Sequence, residues 1–201
     1  MWKGIPQTGL VFYAPLTTNS ATAETGQSLS YKNCTFTTYK GISAVRMSYA
    51  CITTGILAQS GLDSGFTLSM WFCDDSFSNN SIIAHIGDWG GESGYWCGLQ
   101  SNNYKPQLYY QEGVGAGSNN SLQNNTWYHV AYEQYNGTAK AWINGVEDLN
   151  TSTATTQCSG LPLYIGDIDG YSSQYPFQGY LAAVRLYNRA LTTVEIAALA
   201  S

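Results

Sequence analysis

The octapeptide FTLSMWFC, residues 66–73, alternates between large apolar side chains and a mixed second set with a period of two. Successive residues of a β-strand face opposite sides of the sheet, so this pattern predicts a strand rather than a helix. One of its faces carries only apolar residues, namely Phe66, Leu68, Met70 and Phe72. We expect that face to pack in the core.

Nine further runs with strand character are separated by Gly, Asn and Ser, which is typical of an all-β sandwich or barrel. Asn136-Gly137 and Asn144-Gly145 are predicted hairpin turns, because both central residues of a type I′ turn need a positive φ. The sequence thus predicts an all-β fold, a two-sheet antiparallel β-sandwich of the jelly-roll type. The nine runs are 10–14, 42–47, 81–86, 94–100, 107–111, 127–135, 138–144, 163–166 and 177–187.

Only the end of the chain has helical character. Thr192 and Glu195 have the spacing of a capping box, and Leu191 and Ile196 that of a hydrophobic staple, which predicts a short helix over 193–199. No repeat or composition break divides the sequence, so we expect one domain over 1–201 with its core at about 10–201. The polar stretch 113–125 is predicted to be a long surface loop.

The composition narrows the choice of ligands. Charged residues make up 10% of the 201 residues and aromatic residues 14%, with sixteen Tyr and six Trp. Such a surface offers neutral hydrogen-bonding groups and flat rings, which suits uncharged polar ligands such as sugars. The net charge of −5 argues against a nucleic-acid partner, and no stretch approaches the roughly 20 apolar residues needed for membrane insertion.

Five cysteines occur without a Cys-x-x-Cys pair, which argues against a zinc or redox site. Cys73 and Cys97 lie in apolar runs and are expected to be small core residues, while the disulfide pairing stays open. Residues 1–9 do not read as a secretory signal. We therefore expect an extracellular or virion-associated protein whose export signal was removed or that leaves the cell by another route.

Several segments, in order along the chain, resemble motifs of the laminin-G-like jelly-roll family within the concanavalin A-like lectins and glucanases. The most specific is FQGYLAAVRLYNRAL, followed by TTVEI. The resemblance implies the sandwich fold, a packing role for His129 and, most often, a carbohydrate-binding or adhesion function. The family often carries acidic residues where this chain has Ala182 and Ala183. The other matching segments are 66–72, 127–131, 141–145 and 163–166.

Two predicted loops combine aromatic and acidic residues, and loops on a rigid scaffold often carry function. Aromatic rings stack against sugar C–H faces while carboxylates accept sugar hydroxyls; the alternative for each Trp is that it turns inward and fills the end of the core. The candidate ligand-binding residues are Asp88, Trp89, Glu92, Tyr95 and Trp96 in the first loop, Tyr171 and Tyr175 in the second, and Tyr109 in the run 107–111, where its side chain could face either way.

Asp167 and Asp169 could supply oxygen ligands to calcium, the one cofactor that the sequence suggests. Solvation of acids in a loop is the favoured explanation for this pair. A glucanase of this fold would present two or three acids along one strand, and the sequence has no Glu-x-Asp-x-Glu run. With two histidines and no Gly-x-Ser-x-Gly elbow, we do not expect a catalytic triad.

Three functions remain open from the sequence. The first is a non-catalytic module that recognises a glycan or cell-surface polysaccharide through loop aromatics. The second is a structural or interaction domain that binds virion or cell-surface proteins. The third is a glycosidase or lyase on the same fold.

Overall fold

The structure is a computed structural model of the chain. It describes residues 4–56, 61–75, 81–87, 94–100, 105–110, 114–117, 119–152, 158, 160–166 and 176–201. For residues 56, 94–100, 106–110 and 114–117 the description covers the backbone only.

The described residues form fifteen strands and one α-helix, with a short 3-10 turn at Leu62–Ser64. The elements are β1 (Leu10–Ala14), β2 (Leu29–Lys32), β3 (Thr35–Tyr39), β4 (Ile42–Ser48), β5 (Cys51–Ile56), β6 (Gly65–Asp74), β7 (Ser81–Gly87), β8 (Gly94–Gln100), β9 (Lys105–Tyr110), β10 (Val114–Gly117), β11 (Tyr128–Tyr135), β12 (Thr138–Ile143), β13 (Val146–Ser152), β14 (Pro162–Ile165), β15 (Gln178–Tyr187) and α1 (Thr193–Leu199).

The strands form two antiparallel sheets, which confirms the predicted sandwich. The larger sheet has the order β13-β12-β11-β6-β15-β4-β3, and β1 pairs with the second half of β15. The smaller sheet has the order β10-β9-β8-β7-β14-β5-β2. Strands that are distant in sequence are thus neighbours, as in the pairing of β15 with β6.

The main core lies between the two sheets. Phe66, Leu68, Met70 and Phe72 on β6 are completely buried in it, which confirms the predicted apolar face. The smaller sheet contributes Ile83, Ala84 and Ile86 from β7 and Leu163 and Ile165 from β14. Because alternate residues face opposite sides, Tyr164 and His85 lie on the outer face of the smaller sheet.

A second apolar cluster lies on the outer face of the larger sheet, where α1 covers it. Ile196 and Leu199 of the helix pack with Leu191, Trp142 and Tyr187. Thr192 caps the helix, and Glu195 completes the predicted capping box. Asn136-Gly137 and Asn144-Gly145 have positive φ angles and form turns, as predicted. The first joins β11 to β12 and the second joins β12 to β13.

The predicted list of ten strands was incomplete, since β2, β3, β5, β10 and β13 were missed. The prediction of a continuous loop over 113–125 was wrong, because β10 occupies Val114–Gly117 and pairs with β9. The missed strands are mostly polar or small, and β13 is largely exposed. An edge strand with little buried surface leaves a weak alternating pattern in the sequence.

Candidate functional site

Most of the predicted ligand-binding residues lie outside the described residues. This applies to Asp88, Trp89, Glu92, Tyr171 and Tyr175, and also to the predicted calcium ligands Asp167 and Asp169. Their binding roles stay predictions. Among the residues that the structure does describe, no group of three or more His, Cys, Asp or Glu side chains is suited to hold a metal ion.

The structure describes the strands on either side of the two candidate loops. These strands show where each loop begins and ends. The first loop connects Gly87 to Gly94, which are paired at one end of the β7–β8 hairpin. The second begins after Gly166, whose amide donates to the Ile83 carbonyl, and ends at Pro176, bridged to Ile82. Gly87 and Ile83 are separated by roughly 13 Å along β7. The two loops therefore start from opposite ends of the smaller sheet.

A row of paired positions crosses the outer face of the smaller sheet between these two ends. The residues are, in order across seven strands, Ser30, Thr53, Tyr164, His85, Trp96, Tyr109 and Gly115. Residues directly opposite each other in an antiparallel pair share a face. From Thr53 to Tyr109 the row spans four strand spacings, about 19 Å. We call this set the outer row.

The outer row includes two of the predicted residues, Trp96 and Tyr109, at directly paired positions. Tyr95 occupies the neighbouring position on β8, paired with Ile86 of the core, so alternation assigns it to the opposite face of the sheet from Trp96. The binding roles of Tyr95, Trp96 and Tyr109 stay predictions.

Within the outer row, Ser30 is exposed, Thr53 and Tyr164 are half-buried and His85 is fully buried. The rings of His85 and Tyr164 are stacked, with 6.1 Å between their centroids and 17° between their planes. Burial lowers the pKa of His85 to about 4, so its ring is neutral at pH 7. No residue of the row carries a charge at that pH.

A second aromatic group lies on the outer face of the larger sheet and was not predicted. The rings of Tyr39 and Tyr180 stack at 3.9 Å and 4°, and the indole of Trp127 donates to the Tyr39 carbonyl. The ammonium of Lys40 lies over Tyr39, and the guanidinium of Arg46 lies over Tyr180. The ring faces are thus occupied by each other and by cations, which leaves little face for a sugar to stack on.

Ser69 and His129 form a close pair that sequence reasoning did not anticipate. Ser69 Oγ lies 2.8 Å from His129 Nε2. Both residues are fully buried, and burial, with a smaller effect of the Arg185 charge, lowers the pKa of His129 to about 3. A base so weak and so enclosed cannot activate a hydroxyl toward an external substrate. His129 also packs edge-on against Trp71, in agreement with its expected packing role.

Several of the described acids are held by structural contacts. Asp75 pairs with Arg46 and Glu195 with Arg189, while Glu133 accepts hydrogen bonds from the Leu191 amide and the Thr67 hydroxyl.

Within the ranges given above, no helix is long and apolar enough to cross a membrane. Among the residues whose side chains are described, the thiols of Cys34, Cys73 and Cys158 form no disulfide bond, and Cys73 is buried as expected.

Solved structures share this fold. Domain 4 of AbnA, an extracellular GH43 arabinanase from Geobacillus stearothermophilus in complex with arabinotriose, aligns with a TM-score of 0.77 and 17% identity, over 98% of this chain and 100% of that one. Trypanosoma rangeli sialidase in complex with 2,3-difluorosialic acid aligns with a TM-score of 0.76 and 17% identity, over 98% of this chain and 33% of the sialidase. At these identities the likeness concerns the fold alone.

No curated protein matches the sequence. A family profile does match, over residues 47–197, and that family is described as the concanavalin A-like lectin/glucanases superfamily. The matched range includes β6, β11, β12, β14, β15 and most of α1, which contribute residues to both the main core and the outer cluster. The chain belongs to the concanavalin A-like lectin/glucanases superfamily, in its laminin-G-like branch.

Proposed function

We propose that this chain is a non-catalytic carbohydrate-binding or adhesion module whose ligand lies across the outer row of the smaller sheet. The observation that carries the proposal is the row itself. It places four ring-bearing residues, Tyr164, His85, Trp96 and Tyr109, at consecutive paired positions on adjacent strands. Neighbouring strands are about 4.8 Å apart, so the row offers ring positions at short and regular intervals.

The uncharged character of the row favours a neutral polar ligand. Ser30 and Thr53 extend it with hydroxyl groups, and the neutral ring of His85 adds no charge. A neutral glycan can hydrogen-bond such groups without the desolvation cost that burial of a charge would impose. The row spans about 19 Å across the strands. A glycan that lies along it would place several sugar units in series against the row.

His85 fits a supporting role in this arrangement. It is fully buried, whereas its stacking partner Tyr164 keeps part of its surface exposed. The buried ring fixes the orientation of the half-exposed one, and a ring held in place loses less entropy when a ligand stacks on it. The domain in complex with arabinotriose, which has the same fold, makes a glycan a reasonable first ligand to test.

A glycan array followed by titration calorimetry tests the proposal. We expect the wild-type chain to bind at least one glycan, and Trp96→Ala and Tyr164→Ala each to lose roughly ten-fold or more in affinity, equal to about 1.4 kcal/mol. Tyr39→Ala is the matched control, because it removes a half-buried ring from the other sheet. It should leave the affinity unchanged. Circular dichroism checks that each variant keeps the fold.

Two results would reject the proposal. One is the absence of binding to any glycan, which would favour an interaction domain that binds protein. The other is an equal loss of affinity in Tyr39→Ala and Tyr164→Ala, which would move the site away from the outer row. Hydrolysis of a bound glycan would instead point to an enzyme.

A further inference from the structure

Arg185 is a buried cation on the outer face of the larger sheet, remote from the outer row of the smaller sheet. Arg185 is 5% exposed. In the strand register it is paired with Tyr13 of β1 on one side and with Ser69 of β6 on the other. One guanidinium nitrogen, Nη1, donates to the Ala183 carbonyl at 3.2 Å. The Nε atom is buried, and none of the described residues accepts a hydrogen bond from it.

The described groups that face Arg185 carry no negative charge, although the Tyr13 side chain forms a hydrogen bond with the guanidinium. Its guanidinium lies 4.5 Å from the ring centre of Tyr13. Burial raises the pKa of Tyr13, and it raises the pKa of Tyr187 to about 12, so both phenols stay protonated. The ring of His129 is neutral as well. Ser69 contributes only a hydroxyl.

No ion pair of Arg185 with a carboxylate is found in the described part of the chain. The ion pairs there use Arg46, Lys140 and Arg189. Glu133, on the same face, accepts its bonds from Thr67 and from the Leu191 amide. A buried charge that is left unpaired costs several kcal/mol, so the site calls for an anion that the side chains do not supply.

A second unfilled polar atom lies in the same group. His129 Nδ1 is buried and has no hydrogen-bond partner in the part of the chain that the structure describes, while Nε2 is 2.8 Å from Ser69 Oγ. When the Ser69 hydroxyl donates to Nε2, the neutral ring carries its proton on Nδ1. Arg185 Nε and His129 Nδ1 are then two buried donors without acceptors.

We propose that Arg185, together with His129, binds a small inorganic anion of the chloride class. The size of the ion follows from the burial, since Arg185 is 5% exposed and His129 and Ser69 are fully enclosed. A carboxylate attached to a larger ligand would have no path for its body. The ion neutralises the guanidinium and accepts from the two unfilled donors, and it therefore stabilises the folded chain.

The local backbone offers a way to replace the ion. Ala183 lies at a bulge between Ala182 and Arg185 and has a φ of 54°. Aspartate tolerates this left-handed conformation better than most residues. The Ala183 carbonyl already contacts the guanidinium, so we expect an Ala183→Asp carboxylate to approach Arg185 and to take the place of the anion.

Thermal unfolding of the full chain in sodium chloride and in sodium gluconate, at equal ionic strength, tests the proposal. We expect chloride to raise the Tm of the wild-type chain by a few degrees, and Ala183→Asp and Arg185→Met to abolish this difference. Arg46→Met is the matched control, because that arginine is already paired with Asp75. It should keep the chloride effect.

Crystals grown with bromide give an independent readout, with an anomalous peak expected in contact with Arg185 Nε. An equal Tm in the two salts, or a chloride effect that survives in both Ala183→Asp and Arg185→Met, would overturn the proposal. So would a bromide-soaked crystal that shows only water at the guanidinium. If Arg185→Met does not fold, the Ala183→Asp comparison decides.

Discussion

Lowering the pH from 7.5 to 5 should destabilise this protein through its two buried histidines. Burial lowers the pKa of His85 from 6.5 to about 4 and that of His129 from 6.5 to about 3. In the unfolded chain both rings take up a proton as the pH falls below 6.5, whereas in the folded chain they do not. Stability is therefore complete above 6.5 and is lost as the pH falls from there toward the folded pKa values.

The size of the loss at pH 5 depends mainly on the unfolded pKa. Protonation of an unfolded histidine with a pKa of 6.5 stabilises the unfolded state by about 2 kcal/mol at pH 5. Two such residues give about 4 kcal/mol, a large share of the 5–15 kcal/mol that is typical for a folded chain. Glu133 works in the opposite direction, because burial raises its pKa.

Urea unfolding at pH 7.5, 6 and 5 measures this effect, and variants separate the contributions. His85→Gln and His129→Gln each replace a titrating ring by a neutral amide, so each should remove about half of the pH dependence, or about 2 kcal/mol between pH 7.5 and 5. Each comparison is made within one variant across pH, so the packing cost of the substitution cancels. A wild-type stability that is flat between pH 7.5 and 5, or variants that keep the full slope, would refute the reasoning.

Three further substitutions have expected outcomes in urea unfolding. Glu195→Gln breaks the bidentate contact with Arg189 and weakens the helix cap, which should lower the free energy of unfolding by about 1–2 kcal/mol at pH 7. Because the pKa of Glu195 is lowered to about 2 in the folded chain, this loss should shrink as the pH falls below 4.5. An equal loss at pH 3 would contradict the prediction. Gly179→Ala places a Cβ 2.2 Å from the Cys73 carbonyl and should prevent folding or cost more than about 3 kcal/mol, so a near-neutral result would contradict the close approach of β15 to β6. Phe72→Ala should cost about 3–5 kcal/mol, and a loss below 1 kcal/mol would show that the ring is not in the core.

The sequence predicted those strands in which one face is buried in the core and carries only apolar residues. On β6 the alternation is visible because one face enters the core, and the turn at Asn136 is visible because few residues accept a positive φ. On β5 the pattern is blurred, since Thr54 is polar yet buried. β13 has the sequence VEDLNTS and lies at the edge of the larger sheet, mostly exposed. Its strand conformation comes from pairing with β12, which a local pattern does not reveal.

The candidate site was predictable only in part, for a similar reason. Aromatic content singled out Trp96 and Tyr109, but their direct pairing depends on the register of β8 and β9. The inclusion of His85 and Tyr164 in the same row depends on β14 lying between β5 and β7, an order that no local pattern encodes. The same strand order separates the starting points of the two candidate loops.

An NMR titration of the isotope-labelled chain with a glycan found on the array tests the central claim most directly. If the ligand lies across the outer row, the indole N–H of Trp96 and the amides near His85 and Tyr164 shift on binding, while the indoles of Trp127 and Trp142 keep their positions. Trp96→Phe assigns the Trp96 signal. Shifts confined to Trp127 and its neighbours on the larger sheet, or spectra that do not change with saturating glycan, would contradict the account.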